Sequence, residues 1–214
     1  MKKNVLTAGK KLKGDQAAKS GDLLQAHALF SSVCKLDPMD AEAWVKLALV
    51  EKGLRNYRRA EQCARRALVL DPNLGYGHFA LGQALHSQMH RPHAIASYRA
   101  ATSLMPDFAE AHYLLGLALH EHGAMSEAVA SLQHALRLRP TFAEAFAEIG
   151  AVYIDLGQVD TGMDYLQHAA ALRPFDATVA GNIGHALRLQ GKNQAAMDKF
   201  RSAVQLDPDN VDLI

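Results

Sequence analysis

Histidine is the residue type with the most chemistry to offer in this sequence. Eleven are present, and an imidazole can ligate a metal or change charge near neutral pH. A metal centre would draw on His86, His90 and His93, or on His120 with His122. No cysteine or carboxylate completes either set, so neither a metal nor a cofactor is expected. His120, Glu121 and His122 are consecutive, which puts them on different sides of a helix and gives poor geometry for one site. Catalytic patterns are also missing from the sequence. It holds no Walker-type loop, no Gly-x-Gly-x-x-Gly between a strand and a helix, and no His-Glu-x-x-His, so a non-enzymatic chain is expected.

Charge divides the chain unevenly although the total is nearly balanced, at 23 basic against 22 acidic residues. Residues 1–70 hold 14 basic and 7 acidic side chains, whereas residues 71–214 hold 9 and 15. Five of the early arginines, Arg55, Arg58, Arg59, Arg65 and Arg66, form one cluster. Nucleic-acid binding would call for aromatic residues among them and a basic excess over the whole domain, so none is expected. A solvated face, or contact with an acidic protein, is the use that fits. The two cysteines, Cys34 and Cys63, read as helix-packing thiols that suit a reducing, cytoplasmic setting. The basic N-terminus lacks the apolar core of a signal peptide. No run approaches the ~18 apolar residues that a membrane span needs, so no membrane partner is expected.

What must position these groups is a repeat. Apart from Pro92, the prolines fall at 38, 72, 106, 140, 174 and 208, always 34 residues apart. Small residues keep the same step: Gly14, Ala48, Gly82, Gly116, Gly150 and Gly184 form one column. Ala26, Ala60, Ala94, Ala128, Gly162 and Ala196 form another. The repeats span 7–40, 41–74, 75–108, 109–142, 143–176 and 177–210. Within each, apolar residues recur at three- and four-residue spacing on two successive stretches, as Leu115, Ala118 and Leu119 do before Ala128, Leu132 and Ala135. Each unit is therefore a pair of amphipathic helices. Gly21, Gly123, Gly157 and Gly191 mark the turn between them, where a left-handed residue ends the first helix. An X-Pro pair such as Asp37-Pro38 or Arg139-Pro140 closes the second. Phe30, Tyr98, Leu132, Leu166 and Phe200, at position 24, fill the space that the small columns leave.

These residues resemble the tetratricopeptide repeat (TPR) family, over Thr7 to Asn210. Repeat 2 carries Trp44, Leu47, Ala60, Ala67 and Pro72, and repeat 5 carries Phe146, Ile149, Gly150, Tyr153, Ala169 and Pro174. Lys10 and Lys13 depart from the apolar pattern in repeat 1, and His78 and His112 stand at the aromatic position of repeats 3 and 4. The resemblance implies an all-α fold, an α-α superhelix forming a right-handed solenoid of six helix-turn-helix repeats in a single domain over 7–210. Residues 1–6 would be a lead-in, and 211–214 the start of a seventh helix. A stack ending there leaves an apolar face, so the natural protein is expected to continue, or to bury that end in a homodimer.

The resemblance further implies a concave groove, lined by first-helix positions 2, 5, 6, 9, 12 and 13, that receives a peptide or helix of a partner protein. In this sequence those positions supply Val45, Lys46, Leu49 and Lys52 from repeat 2, with Tyr76, Phe79, Gln83 and His86 from repeat 3. Repeat 4 supplies Tyr113, Leu117, His120 and Glu121; repeat 5 supplies Glu148, Ile154 and Asp155, and repeat 6 supplies Asn182, His185 and Arg188. Tyr76, Phe79 and Tyr113 are the expected anchors, or else packing residues between adjacent first helices. His86 and His120, equivalent in adjacent repeats, would repel an apolar partner if both were protonated below about pH 6. A chaperone-type carboxylate clamp is disfavoured because Asp15 stands where an asparagine is needed, with only Lys11 and Lys46 fitting. An asparagine ladder is disfavoured too, since Asn182 is its single rung. The expected function is thus a non-catalytic interaction scaffold. The alternative is the recognition region of a longer enzyme of glycosyltransferase or sulfotransferase type.

Overall fold

The computed structural model describes residues 2–208. Among them twelve α-helices follow one another with no strand, and the chain divides into two compact units, Met1–Asp107 and Phe108–Ile214. Where the repeat count predicts one domain, each unit holds three hairpins. In a repeat array each hairpin packs only on its neighbours, so any repeat boundary severs few contacts.

The first unit contains α1 (Lys2–Lys19), α2 (Leu23–Leu36), α3 (Ala41–Gly53), α4 (Tyr57–Leu70), α5 (Gly75–Ser87) and α6 (Arg91–Leu104). The second contains α7 (Ala109–Glu121), α8 (Met125–Leu138), α9 (Ala143–Asp155), α10 (Val159–Leu172), α11 (Ala177–Leu189) and α12 (Asn193–Leu206). Helix α1 starts at Lys2, within the expected lead-in. Later first helices cannot extend backwards because an X-Pro pair precedes them, and nothing of that kind precedes Thr7. The segment 211–214 and any interface built on it lie outside the described residues.

All six hairpin turns are closed by the same two backbone bonds. In repeat 2 the Asn56 N–H donates to the Glu51 carbonyl at 2.8 Å and the Arg55 N–H to the Lys52 carbonyl at 3.0 Å. This pattern satisfies carbonyls that the end of a helix would leave unpaired, and it requires one left-handed residue. Gly21, Gly123, Gly157 and Gly191 take it with φ between 76° and 83°. Repeats 2 and 3 have no glycine there, and Arg55 (φ 61°) and Met89 (φ 63°) adopt the conformation in its place.

The two helices of a hairpin meet where a small residue faces a large one. A Cβ added to Gly116 would fall 2.5 Å from Leu132 Cγ, and one added to Gly82 would fall 2.6 Å from the Tyr98 ring. Repeat 2 departs from this, with two small residues, Ala48 and Ala64, at the equivalent positions, both buried. In the first unit the core gathers Phe30, Val33, Cys34, Leu47, Cys63 and Ala67; in the second, Leu166, Ala169, Val179 and Ile183 form a comparable cluster. Both cysteines are free thiols, and burial pushes Cys34 up to about 12 and Cys63 to about 11. They pack in the interior, as expected, where the raised pKa keeps both thiols protonated at neutral pH.

Candidate functional site

In the first unit, α3 packs on α5, so their first-helix side chains form one wall. Tyr76 keeps 51% of its surface exposed, while Leu49, Lys52, Gln83 and His86 are half-buried. Val45 (4% exposed) and Phe79 (7%) are buried, which corrects their expected place as groove-facing residues. The cause for Phe79 is the tyrosine that fills the same repeat: the rings of Phe79 and His86 lie 6.4 Å and 6.1 Å from that of Tyr98. Lys46 is committed as well. Its Nζ is 2.8 Å from Asp15 and 3.4 Å from Glu42, and it lies over the Phe30 ring.

Lys11 pairs with Glu42 at 2.6 Å and with Asp40 at 3.1 Å. Burial works against its charge, but hydrogen bonds to Glu42 and Asp40 outweigh that and raise its pKa above the ordinary lysine value. The hydrogen bond from Lys11 lowers the Glu42 pKa in turn, against the effect of burial. Both lysines that could have held a partner's carboxylate are thus neutralised from within the chain.

In the second unit α9 packs on both α7 and α11. Tyr113 is half-buried with its ring 4.9 Å from that of Phe142, and the Arg139 guanidinium lies 4.5 Å from the centre of the Phe142 ring. Arg139 also pairs with Glu110, and the equivalent Arg173 pairs with Glu144 at 2.5 Å. Burial chiefly, then Glu148, pushes the Tyr113 hydroxyl up to about 12. Leu117, Asn182 and His185 are half-buried, and Glu121 and Arg188 are exposed. Ile154 is 5% exposed, packed close to Gly162 in the partner helix of its hairpin, and so is also corrected to a core residue.

His120 links two repeats. Its Nδ1 lies 2.7 Å from Glu148 and its Nε2 2.9 Å from Asp155. The hydrogen bond to Glu148 is the largest influence on it. Burial opposes that bond and Asp155 adds to it, leaving a pKa of about 9. The imidazolium therefore persists well above neutral pH, which overturns the expected switch near pH 6. With both nitrogens donating to carboxylates, His120 offers no lone pair to a metal.

The other histidines in register are explained by packing, His78 against the closing proline of the preceding repeat and His112 within its own. Trp44 donates its ring N–H to the Pro38 carbonyl at 3.1 Å, and His78 Nε2 makes the same contact with Pro72 at 2.9 Å. His78 thus does the work of the aromatic residue it replaces, and the carbonyl acceptor fixes its tautomer. His112 stacks on His134 with ring centres 4.0 Å apart, as Phe146 does on His168 at 5.5 Å.

Sequence positions alone missed which charges would be claimed inside the chain. They also missed Glu51, which is 2% exposed and meets His27 at 3.2 Å, Asn56 at 2.9 Å and Arg59 at 3.4 Å. Its column reads Ala17, Glu51, Leu85, Leu119, Tyr153, Leu187, so a lone acid in that series was the available signal.

A family model described as tetratricopeptide repeat matches residues 12–73 and 148–211, and a second of the same description matches 109–142. A model described as TPR repeat matches 92–123. Among curated proteins none matches. Among solved structures, PilW, described as a widely conserved type IV pilus biogenesis factor, superposes with a TM-score of 0.86 at 21% identity, over 97% of this chain and 96% of its own. Pseudomonas aeruginosa PilF gives 0.83 at 17% identity, over 100% and 97%. YrrB, described as a TPR protein with an unusual peptide-binding site, gives 0.66 at 19% identity, over 86% and 95%. These likenesses show the fold class, all-α with helix-turn-helix repeats. No helix among the described residues is long and apolar enough to cross a membrane.

Proposed function

The chain belongs to the tetratricopeptide repeat family, and from that premise we propose that it is an interaction scaffold receiving a peptide or helix of a partner protein along the wall of its first helices. An interaction scaffold in general is what the family and the solved relatives support. The observation that carries the finer reading is Tyr76. It is an aromatic side chain half in solvent on a first helix, with the half-buried Leu49, Gln83 and His86 on the same pair of helices. Large amphipathic rings of this kind dominate interface energies, at about 2 kcal/mol or more when a partner covers them. In the second unit Leu117 and Tyr113 offer the corresponding apolar surface, and Glu121 and Arg188 offer charge. YrrB, whose description names a peptide-binding site, is consistent with such a use.

The test is selection of binding peptides from a displayed library, followed by titration of the best peptide against Tyr76→Ala and Leu117→Ala. A loss of about tenfold or more for either variant is expected. Losses under about 0.5 kcal/mol for both would place the guest elsewhere and overturn the reading.

A further inference from the structure

At the hairpin turns of the first unit a cleft of about 950 Å³ opens over the buried carboxylate of Glu51, with Arg55, Arg58, Arg59, His27 and His90 among its lining residues. Glu51 is the one acid in that lining. It is already engaged by His27, Asn56 and Arg59. Arg55 and Arg58 have no acidic partner among the described residues, and both are exposed. Three guanidiniums beside one carboxylate that is already engaged give the cleft a positive lining that an incoming carboxylate can meet. The backbone at this cleft is also unusual. Arg55 holds the left-handed turn position that glycine fills in four other repeats, and Met89, the other exception, directly precedes the lining residue His90. Backbone strain of this kind persists where something else over-determines it, and a lining side chain is lost if glycine takes the position.

We propose that this cleft docks an acidic segment of a partner protein, with Asp or Glu carboxylates held by Arg55, Arg58 and Arg59. The cleft is larger than a single small anion needs and lies open to solvent, which fits an extended chain. It lies in the part of the sequence with twice as many basic as acidic side chains, so the wider field also attracts such a segment. Nucleic acid fits less well. Tyr57 is the one ring in the lining besides the histidines, too few for a platform on which bases stack. The site is separate from the first-helix wall and does not depend on it.

The probe is a fluorescent hexaglutamate peptide, titrated by anisotropy into the full chain at about 20 mM salt, where surface charges are little screened. Arg55→Gly and Arg58→Gln are each expected to weaken binding about three- to fivefold. Arg55→Gly should at the same time raise the melting temperature, which separates loss of the charge from loss of the fold. Arg66→Gln, the same charge change on an exposed α4 residue outside the cleft, is expected to leave affinity unchanged. No binding by the wild type, unchanged affinity in both cleft variants, or an equal loss with Arg66→Gln would each overturn the proposal. Tighter binding of a single-stranded RNA or a phosphoserine peptide than of hexaglutamate would overturn it also.

Discussion

His120 of one repeat and Glu148 of the next are joined at 2.7 Å, and this bond, seconded by Asp155, ties α7 to α9 through a charge that neutral histidine could not supply. Because the folded pKa is raised, to about 9 from an unfolded value near 6.5, the stabilisation is complete below pH 6.5 and is lost as pH rises towards 9. Glu148→Gln should therefore lower the His120 titration midpoint, measured by NMR, by at least one unit. The difference in melting temperature between wild type and variant should shrink from pH 6.5 to pH 10. A His120 midpoint at or below 6.5 in the wild type would contradict the assignment.

The two turns that lack glycine should be improvable. Met89→Gly removes the cost of a left-handed side chain, about 1 kcal/mol, which for a chain of this size raises the melting temperature by about 2–4 °C. Gly157→Ala should do the reverse by a similar amount, because the same conformation is then imposed on a residue with a Cβ. Thermal unfolding of the two single variants checks both signs.

Gly116 and Leu132 should behave as a coupled pair. A methyl group at 116 meets Leu132 and the Ala128 carbonyl, so Gly116→Ala is expected to cost about 1–3 kcal/mol. Leu132→Ala, a fully buried truncation, costs about 2–5 kcal/mol. Combined, they recreate the Ala48 and Ala64 arrangement of repeat 2. The double variant should therefore be more stable than the sum of the two losses by about 1 kcal/mol or more. Additive losses in chemical denaturation would show that the small and large columns do not compensate each other.

Tyr76 and Phe79 should separate binding from stability. Phe79→Ala empties a buried position and is expected to cost about 3–5 kcal/mol. Tyr76→Ala should change stability by less than about 0.5 kcal/mol while weakening a selected peptide. The reverse ranking, read from denaturation midpoints, would exchange their roles.

Much of the architecture could be read from spacing, because each hairpin repeats one packing problem and solves it with the same residue sizes at the same positions. The Gly116 and Leu132 fit and the closing prolines are examples. Side-chain direction was less legible. Positions 5 and 12 were expected to face a guest, yet Val45, Phe79 and Ile154 are buried because their rows pack on the neighbouring helix. Ion pairs were the least legible, since Lys46 with Asp15 and His120 with Asp155 join residues 31 and 35 positions apart, and separation along the chain gives no sign of them. Two signals lay in the columns without being drawn out. Glu51 interrupts an apolar series, and Arg55 and Met89 interrupt a glycine one.

Both sulfhydryls of the chain, Cys34 and Cys63, sit in the interior of the first unit, and the second unit has none. An alkylating reagent can reach them only when that interior opens, and even then it must wait for the proton to leave. The rate of labelling is accordingly a clock for the breathing of residues 1–107 alone, readable by mass without any engineered probe. A ligand seated on the first unit should slow that clock, and one seated on the second should leave it running.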